Sequence, residues 1–568
     1  MIKGTAASDG IGIGKVLVIE EHSLEYTPRT ITDTEAETER FNGAVKEFIE
    51  NTEAQAEALR KSAGDKEAEI MTGHITMIND PYLRGEIEAL IKGGQCAESA
   101  LETMCDMFIQ MFSAADDEMM KQRAADVRDI KTGVLSILLG IKEVKVSEAP
   151  AGTVLVAREL TPSVTAGINK DNIVGIITET GGKTSHSAIL ARALEIPAVL
   201  SVPDAASLFK NDQCVIVDGS SGEVIADPDE EQTNVYTKKR SDFIAERKEL
   251  EKFRGVSTKS ASGEEYELVC NIGKPADAVK AMECDGEGVG LFRTEFLFMD
   301  RTAMPTEEEQ FEAYKKAALI VKGKPLIIRT LDIGGDKDIP YMGLAKEENP
   351  FMGFRAIRYC LKNRDMFKVQ IRAILRASAF GDVRIMFPLV TCVDEVRDGK
   401  ALVEECKAEL RAENAEFNEK IPVGIMVETA AAAVLADVLA KESDFFSIGT
   451  NDLTGYTMAC DRGNSDVSYL YSALQPSVLR MIKRTIECGR AEGIPVGMCG
   501  EAAANPQMIP LLMSFGLTEF SVSAPSVLKV RKCISKWTKQ EADEVCAKVM
   551  SLATEKEADE YLSKVCVR

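Results

Sequence analysis

Hydrophobic positions change their spacing twice along the chain. The first twenty residues alternate apolar and small residues as a β-strand does, whereas residues 32–140 carry apolar positions at helical spacing with almost no proline. From residue 150 onward, short apolar runs alternate with helical segments. This order predicts a helical bundle that is inserted into one α/β domain and followed by a second α/β domain.

The inserted bundle is predicted to contain five helices in up-and-down packing. Asp80 and Pro81 are typical of a helix start, since aspartate caps free N–H groups and proline fits the first turn. The predicted helices span residues 32–62, 66–77, 81–91, 97–112 and 115–139.

Five apolar runs between residues 150 and 229 predict the strands of an α/β domain, with a helix at 185–194. The N-terminal strand is available to complete its sheet. Residues 230–254 are charge-rich at helical spacing and predict an exposed connecting helix. The predicted domain bounds are as follows: residues 1–20 and 145–229 form this α/β domain, and residues 21–144 form the bundle. Residues 230–258 form the connecting segment, and residues 259–568 form the second α/β domain.

Residues 259–568 contain eight short apolar runs, each followed by a helical segment. The runs are EYELVCNI, GVGLFRTE, LIIRTLDI, VRIMFPLV, VGIMVE, FFSIGT, PVGMCG and EFSVSA. Eight such units predict a (β/α)8 TIM barrel, whose chemistry gathers at the C-terminal ends of the strands. The predicted fold class is therefore multidomain α/β.

Charge and composition exclude several kinds of partner. A formal net charge of -23 disfavours nucleic acid and anionic membranes, because both repel an acidic surface. No apolar stretch approaches the ~20 residues of a membrane span and the N-terminus has no cleavable leader pattern, so we expect a cytoplasmic protein. The 14 cysteines include no CxxC pair, which disfavours a zinc ribbon and a disulfide framework.

Polar residues follow the predicted barrel strands. They are Arg293, Glu295, Arg329, Asp332, Glu428, Asn451, Asp452, Arg462 and Cys499. Arginines suit phosphate and carboxylate groups, and carboxylates such as Glu428 and Asp452 are ligands that Mg²⁺ prefers. Any one of these residues could equally be a solvated or capping residue, but together they predict a site for a small phosphorylated acid.

Two further arginines, Arg355 and Arg358, are one helical turn apart and could both reach this site. Arg355 is the better candidate, because Arg358 could be a solvated helix residue.

Only three histidines are present: His22, His74 and His186. His186 lies in TGGKTSHSAILARALEIPAV, where a strand, a glycine pair and polar residues lead into an amphipathic helix. A helix N-terminus favours anions, so a phosphoryl group on this imidazole would be stabilised, with Thr184 available to hydrogen-bond it. The alternative is a histidine that only caps the helix. His74, on an apolar helix face, is predicted to pack or to contact a partner.

Several long sequence motifs resemble those of one known family, and the resemblance covers essentially the whole chain. GGKTSHSAILARALEIPA, GVGLFRTEFLFMDR, IIRTLDIGGDK, KEENPFMGFRAIR, VGIMVET, DFFSIGTNDLTGYTMACDRGN and GMCGEAA closely resemble Enzyme I of the bacterial phosphotransferase system, as do GHITMINDP and RAADVRDI in the bundle. The resemblance implies a phosphoenolpyruvate-dependent phosphotransferase that phosphorylates itself on His186, releases pyruvate and passes the phosphoryl group to a histidine of the carrier HPr, which starts sugar uptake.

The same resemblance implies roles for individual residues. His186 takes the phosphoryl group on Nε2, and Cys499 protonates the departing enolate. Mg²⁺ is held by Glu428 and Asp452, and phosphoenolpyruvate is bound by Arg293, Arg329, Asn451 and Arg462. Arg355 and Asp452 are predicted as further substrate ligands. Lys183 and Thr184 support the histidine. HPr contacts are expected at Met77, Ile78, Tyr82 and Arg123. The family further implies a homodimer through the barrel and domain swings about the connecting helix.

Three positions depart from the family's usual pattern. Lys183 replaces arginine and loses its bidentate fork, while Ala430 replaces proline and Gly455 replaces glutamine beside the metal site. These departures put substrate affinity in doubt.

Three other functions remain open at this stage. Pyruvate, phosphate dikinases and phosphoenolpyruvate synthases share the mobile histidine domain and the barrel, but they need an ATP-binding domain, for which the start of this chain leaves no room. A regulatory paralogue is disfavoured because we expect no extra N-terminal sensory domain. An inactive scaffold is disfavoured by the presence of His186, Cys499, both carboxylates and the arginines.

Overall fold

The computed structural model describes residues 2–19, 24–62, 65–113, 118–141, 146–160, 164, 168–182, 185–299, 301–334 and 339–566. The chain folds into two compact units, Met1–Arg247 and Lys248–Arg568. The first unit holds the helical bundle and one α/β domain, and the second holds the barrel. None of the helices within these ranges is both long enough and apolar enough to cross a membrane.

Five helices form the bundle, as their periodicity predicts. They are Thr34–Ser62, Asp65–Ile78, Pro81–Lys92, Ala97–Ser113 and Glu118–Leu139. Each helix contributes a fully or almost fully buried side chain to a shared core, namely Phe41, Ile78, Ile87, Leu101 and Val134. Removing such apolar stripes from water stabilises the bundle. The predicted start at Asp80 is confirmed, because its carboxylate accepts from the N–H groups of Tyr82 and Leu83 at 3.0 Å each.

An eight-stranded sheet forms the α/β domain. Its strands are β1 (Ile2–Lys3), β2 (Thr5–Ser8), β3 (Ile11–Ile19), β4 (Thr153–Ala157), β5 (Ile173–Thr178), β6 (Ala198–Leu200), β7 (Cys214–Asp218) and β8 (Glu223–Ala226), in the order β1-β8-β7-β3-β4-β5-β6-β2. Strand β3 pairs in parallel with β4, from Lys15 opposite Thr153 to Ile19 opposite Ala157. The N-terminal strand therefore completes the sheet, and the bundle is an insertion between two neighbouring strands.

Within the described ranges, three further α-helices accompany these strands. They are His186–Leu194, Ala205–Leu208 and the long helix Glu230–Leu250. Most side chains of the long helix are exposed, which agrees with its charge-rich sequence.

Eight parallel strands close into a barrel in the second unit. They are β9 (Glu267–Ile272), β10 (Val289–Arg293), β11 (Leu326–Arg329), β12 (Val383–Phe387), β13 (Val423–Val427), β14 (Phe446–Ile448), β15 (Val496–Met498) and β16 (Glu519–Val522), and β16 lies beside β9. The helices are Asp277–Glu283, Glu307–Val321, Ala356–Lys362, Arg364–Ala377, Val393–Ala412, Ala430–Val434, Ala436–Leu439, Thr450–Met458, Pro476–Ala491, Ile509–Phe515, Val527–Ser535, Lys539–Met550 and Glu555–Val565. The predicted (β/α)8 fold is confirmed.

Apolar side chains fill the barrel. Leu291, Ile327, Met386 and Met426 belong to one buried cluster that is separate from the core between the strands and the outer helices. A barrel packed in this way is not a pore, so its chemistry is confined to the loops at its ends.

Candidate active site

Several of the predicted site residues stand where barrel strands end. Arg293 and Arg329 are the last residues of β10 and β11, and Glu428 and Cys499 directly follow β13 and β15. Asp452 is the third residue of the helix Thr450–Met458, which begins two residues after the end of β14. Because all eight strands are parallel, their C-terminal ends meet at one rim of the barrel.

Three carboxylates form a cluster at this rim. Ligand oxygens of Asp332, Glu428 and Asp452 all lie within 4.8 Å of one another. Glu428 is 2% exposed, and its Oε1 accepts a hydrogen bond from the backbone N–H of Leu389 at 2.7 Å. The sequence predicts Glu428 and Asp452 as metal ligands and Asp332 only as a polar strand-end residue, and the structure adds Asp332 to the cluster.

The cluster is electrostatically unfavourable by itself. Burial raises the pKa of Glu428 well above its ordinary value, and the charge of Asp452 raises it further. Burial also raises the pKa of Asp452, while the guanidinium groups of Arg355, Arg329 and Arg462 oppose that rise. Like charges held this close in a buried site need cations, and a hard divalent ion with oxygen ligands fits the donor set.

Two arginines, Arg329 and Arg355, whose side chains are only 12% and 8% exposed, are interleaved with these carboxylates. Arg329 Nη2 lies 3.0 Å from Glu295 Oε1, and Nη1 lies 3.1 Å from Asp332 Oδ2. Arg355 Nη2 lies 2.6 Å from Asp332 Oδ1 and 3.7 Å from Asp452 Oδ2. Asp332 thus joins both arginines, and Glu295 holds the first one from its other side.

Arg358 does not join this cluster. The helix begins at Ala356, so Arg355 precedes it, and Arg358 donates to the backbone carbonyls of Met352 and Gly353 at 3.0 and 3.1 Å. Arg358 therefore stabilises the preceding loop. Tyr456, which the sequence pattern did not single out, accepts from Arg355 Nη1 at 3.4 Å.

Three other predicted substrate ligands are more open than the buried pair. Arg293 is exposed and lies 5.7 Å from the centroid of the Phe296 ring. Arg462 is also exposed, and Asn451 is half-buried, with its backbone carbonyl accepting from the Tyr471 hydroxyl at 2.9 Å. The rim thus combines a buried, fixed pair of guanidinium groups with accessible ones.

Cys499 is held rigidly at the same rim. Its backbone N–H donates to the carbonyl of Ile448 at 3.1 Å, and its own carbonyl accepts from Asn271 Nδ2 at 3.1 Å. The residue is 7% exposed, and burial raises the pKa of its thiol to about 11. The thiol therefore keeps its proton at neutral pH and can act as an acid.

The predicted phosphohistidine begins a helix. His186 is the first residue of His186–Leu194, and the Ser185 side chain caps this helix by accepting from the N–H of Ala188 at 3.3 Å. The structure describes only the backbone of His186. Lys183, Thr184 and His22 lie outside the described residues.

The bundle residues proposed as carrier contacts differ in exposure. Tyr82 is 61% exposed, Arg123 is exposed, and Met77 is half-buried. Ile78 is 0% exposed and belongs to the bundle core, so its assignment as a contact residue is corrected to a core residue. His74 is also buried, with Nε2 3.4 Å from Asp126 Oδ1.

The two departures beside the metal site lie in helices. Ala430 is the first residue of Ala430–Val434, whose start Thr429 caps by accepting from the N–H of Ala432 at 3.0 Å. Gly455 lies within Thr450–Met458. The Thr429 cap therefore already stabilises the start of this helix at Ala430, the position at which proline is usual in the family.

Three family models match successive parts of the chain. They are the N-terminal part of the PEP-utilising enzymes over residues 3–123, their mobile domain over 149–222, and their PEP-binding domain over 247–539. The last match contains every residue of the rim cluster.

Curated relatives match over almost the whole length. The phosphoenolpyruvate-protein phosphotransferase of Listeria innocua is 46% identical over 565 residues, which cover 99% of each chain. That of Priestia megaterium is 46% identical over 562 residues, covering 99% of this chain and 98% of its own. That of Bacillus subtilis is 44% identical over 564 residues, covering 99% of both. The chain therefore belongs to the phosphoenolpyruvate-protein phosphotransferase family, Enzyme I of the bacterial phosphotransferase system.

Proposed function

We propose that this protein takes the phosphoryl group of phosphoenolpyruvate onto His186, releases pyruvate, and passes the phosphoryl group to a histidine of the carrier HPr, which starts sugar uptake. One observation carries the proposal: the interleaved carboxylates and arginines at the barrel rim, within the segment that the PEP-binding family model matches. Full-length relatives of the same name support it.

Substrate binding is assigned to the arginines and to Asn451. Phosphoenolpyruvate carries a phosphate and a carboxylate, and Arg293, Arg329 and Arg462 offer planar donors that suit both groups. Within the described residues, the buried Nε group of Arg329 has no hydrogen-bond partner. A buried donor without an acceptor is costly, so a substrate oxygen that accepts from it would be bound favourably. Arg355 is assigned a supporting role, since Asp332 and Asp452 already engage its guanidinium group.

The metal assignment rests on the donor set. Glu428 and Asp452 would hold Mg²⁺, and Asp332 lies within reach of the same ion. When bound, Mg²⁺ would neutralise charge on the phosphoryl oxygens. It would also relieve the repulsion that raises the pKa of both carboxyl groups.

The proposed chemistry balances without a further reactant. The enol oxygen–phosphorus bond breaks as the lone pair of His186 Nε2 forms a bond to phosphorus. The enolate left behind takes a proton on its methylene carbon from the Cys499 thiol, which gives pyruvate, and solvent returns a proton to the thiolate. Protonation of the enolate favours phosphoryl transfer, because the keto form of pyruvate is much more stable than the enol form.

Carrier docking is assigned to the bundle, residues 21–144. Tyr82, Met77 and Arg123 offer an exposed aromatic group, a half-buried thioether and an exposed cation on the bundle, a combination that suits a protein partner. Residues 1–20 and 145–229 would carry the histidine, 230–258 would connect it, and 259–568 would bind the substrate and form a homodimer. Cytoplasmic location stays a prediction from the sequence.

The test is transfer of labelled phosphate. Full-length protein is incubated with labelled phosphoenolpyruvate and Mg²⁺, with and without HPr, and with labelled ATP as the competing donor. We expect acid-labile label from phosphoenolpyruvate alone, which disappears in His186→Ala, persists in His22→Ala, and moves to HPr when the carrier is added.

Label from ATP would instead indicate a dikinase-like enzyme, and no label from either donor would indicate an inactive chain. Label that survives in His186→Ala would overturn the assignment of the histidine.

A further inference from the structure

A buried polar side chain lies in the apolar layer behind the barrel rim. Gln370, in the helix Arg364–Ala377, is 0% exposed, although its buried helical neighbours Phe367, Ile371 and Ile374 are apolar. Burying an amide is costly unless its hydrogen bonds are made. A residue of this kind in this layer calls for a physical reason.

The Gln370 amide joins two loops. Its Oε1 accepts from the backbone N–H of Leu331 at 2.9 Å, and its Nε2 donates to the Thr294 hydroxyl at 3.2 Å. Leu331 follows β11 and Thr294 follows β10. One side chain of an outer helix therefore contacts residues within two positions of the ends of two neighbouring strands.

Thr294 extends the link to the substrate arginines. Its hydroxyl donates to the backbone carbonyl of Arg329 at 2.8 Å, and Arg293 is the residue immediately before it. Glu295, the residue after it, accepts from Arg329 Nη2 at 3.0 Å and from the N–H of Asp332 at 3.1 Å. The orientation of three rim side chains therefore depends on where Thr294 is held.

The other side of the amide is anchored to a second outer helix. Gln370 Nε2 also donates to the Tyr314 hydroxyl at 3.3 Å, and Tyr314 donates to Gln310 Oε1 at 3.1 Å. Gln310 Nε2 donates in turn to the carbonyl of Pro305 at 3.2 Å. Gln370, Tyr314 and Gln310 are at most 2% exposed. Their hydrogen bonds are therefore directional and shielded from water.

We propose that Gln370 and Thr294 are positioning residues for substrate recognition, because they set the loops after β10 and β11 so that Arg293 and Arg329 stand ready for the phosphate and carboxylate of phosphoenolpyruvate. The inference rests on the proposed function. An apolar residue in place of Gln370 would leave the buried backbone N–H of Leu331 without its acceptor, so both loops would shift and some stability would be lost. Misplaced guanidinium groups would weaken substrate binding even in a chain that remains folded.

The test compares four variants of the full-length chain. Gln370→Met removes the amide at similar length, Thr294→Val removes the hydroxyl, and Thr294→Ser keeps it. Thr485→Val is the matched control, because Thr485 is also 0% exposed and its hydroxyl donates only within its own helix, to Met481 at 2.9 Å. The rate of pyruvate formation is measured against phosphoenolpyruvate concentration with saturating Mg²⁺ and HPr, and thermal unfolding is followed by the fluorescence of Trp537, the one tryptophan of the chain.

For Gln370→Met and Thr294→Val we expect KM for phosphoenolpyruvate to rise by about 10-fold, as loss of a positioned binding group does. Thr294→Ser should restore KM to within about 2-fold, and Thr485→Val should leave it unchanged. A purely structural role would lower the fraction of active protein and hence kcat, with KM unchanged in every variant; that pattern would overturn the inference. Absence of phosphoenolpyruvate-dependent activity in the unsubstituted protein would overturn the proposed function instead.

Discussion

The Cys499 thiol keeps its proton over the whole physiological range because burial raises its pKa to about 11. A thiol with an ordinary pKa near 8.5 would be partly ionised in mildly alkaline solution and would then be unable to donate. We therefore expect the rate of pyruvate formation to show no loss from thiol ionisation between about pH 7 and pH 9, and a loss only as the pH approaches the raised pKa.

Replacement of this thiol gives a sharper test. In Cys499→Ala we expect pyruvate formation to fall by about 100-fold or more, the usual contribution of a positioned acid. Release of pyruvate is measured directly, and Cys488→Ala, at a half-buried position on an outer helix, is the control. Unchanged pyruvate formation in Cys499→Ala would mean that another group supplies the proton.

A second residue, Glu519, is expected to make the stability of the barrel depend on pH. Glu519 begins β16 and is buried, and burial, followed by the charge of Glu267 on the adjacent strand, raises its pKa to about 7, with Arg384 opposing the rise. The unfolded chain releases this proton near pH 4.3, so the contribution of Glu519 to barrel stability is lost as the pH rises from about 4 to about 7.

Glu519→Gln should remove that pH dependence. At pH 8 we expect the variant barrel to be more stable by about 3 kcal/mol, measured by denaturant unfolding with Trp537 fluorescence. At pH 4 the two proteins should have equal stability. Glu416→Gln, at an exposed position, serves as the control and should change neither value. A constant difference at all pH values would contradict the explanation by ionisation.

At the scale of elements, the helix Pro81–Lys92 presents the proposed docking residue Tyr82 in its first turn. The Asp80 cap orients that turn, so Asp80→Ala should destabilise the bundle by about 1 kcal/mol and also weaken transfer to HPr. Asp33→Ala is the matched control, because Asp33 Oδ1 accepts from the N–H of Ala36 at the start of another helix. Equal effects of the two variants on the HPr concentration needed for half-maximal transfer would argue against docking at Tyr82.

The bounds of elements were largely predictable from the sequence. Helical and alternating periods follow from which side chains must be buried, so five bundle helices and eight barrel strands were found near their observed positions. Contacts between elements were less predictable. Arg355 and Arg358 are separated by the helix start at Ala356, and periodicity does not show which apolar residue near the end of a helix, Met77 or Ile78, faces the core.

The contacts at the polar rim of the barrel were likewise only partly predictable from the sequence. Strand-end positions predicted the carboxylates Glu428 and Asp452 and the arginines, because parallel strands bring their ends together. That Asp332 would join Arg329 to Arg355 could not be read from spacing, because it depends on side-chain directions in two loops. Gln370 had no signal at all, since one glutamine among apolar residues also suits a helix surface.

At the scale of the whole molecule, the two compact units have separate hydrophobic cores. We therefore expect at least two thermal transitions, because the cores of the two units can be lost independently. Trp537 lies in the second unit, so its fluorescence reports on the barrel, whereas circular dichroism reports on both units.

Phosphoenolpyruvate with Mg²⁺ should raise the fluorescence midpoint, because ligands stabilise the unit that binds them. The transition seen only by circular dichroism should move less. A single transition that both probes follow together, with and without ligand, would contradict this expectation.

The parallel pairing of β3 with β4 also constrains the order in which the protein folds. Strand β3 leaves the ribosome early, but its partner follows only after residues 20–152 have been made, on the order of ten seconds later at typical rates of synthesis. The bundle is complete within that interval and can form from local contacts, while the edges of β3 stay unpaired. During synthesis, the nascent chain therefore carries a finished helical domain on an unfinished sheet, and this is the stage at which chaperones would protect it.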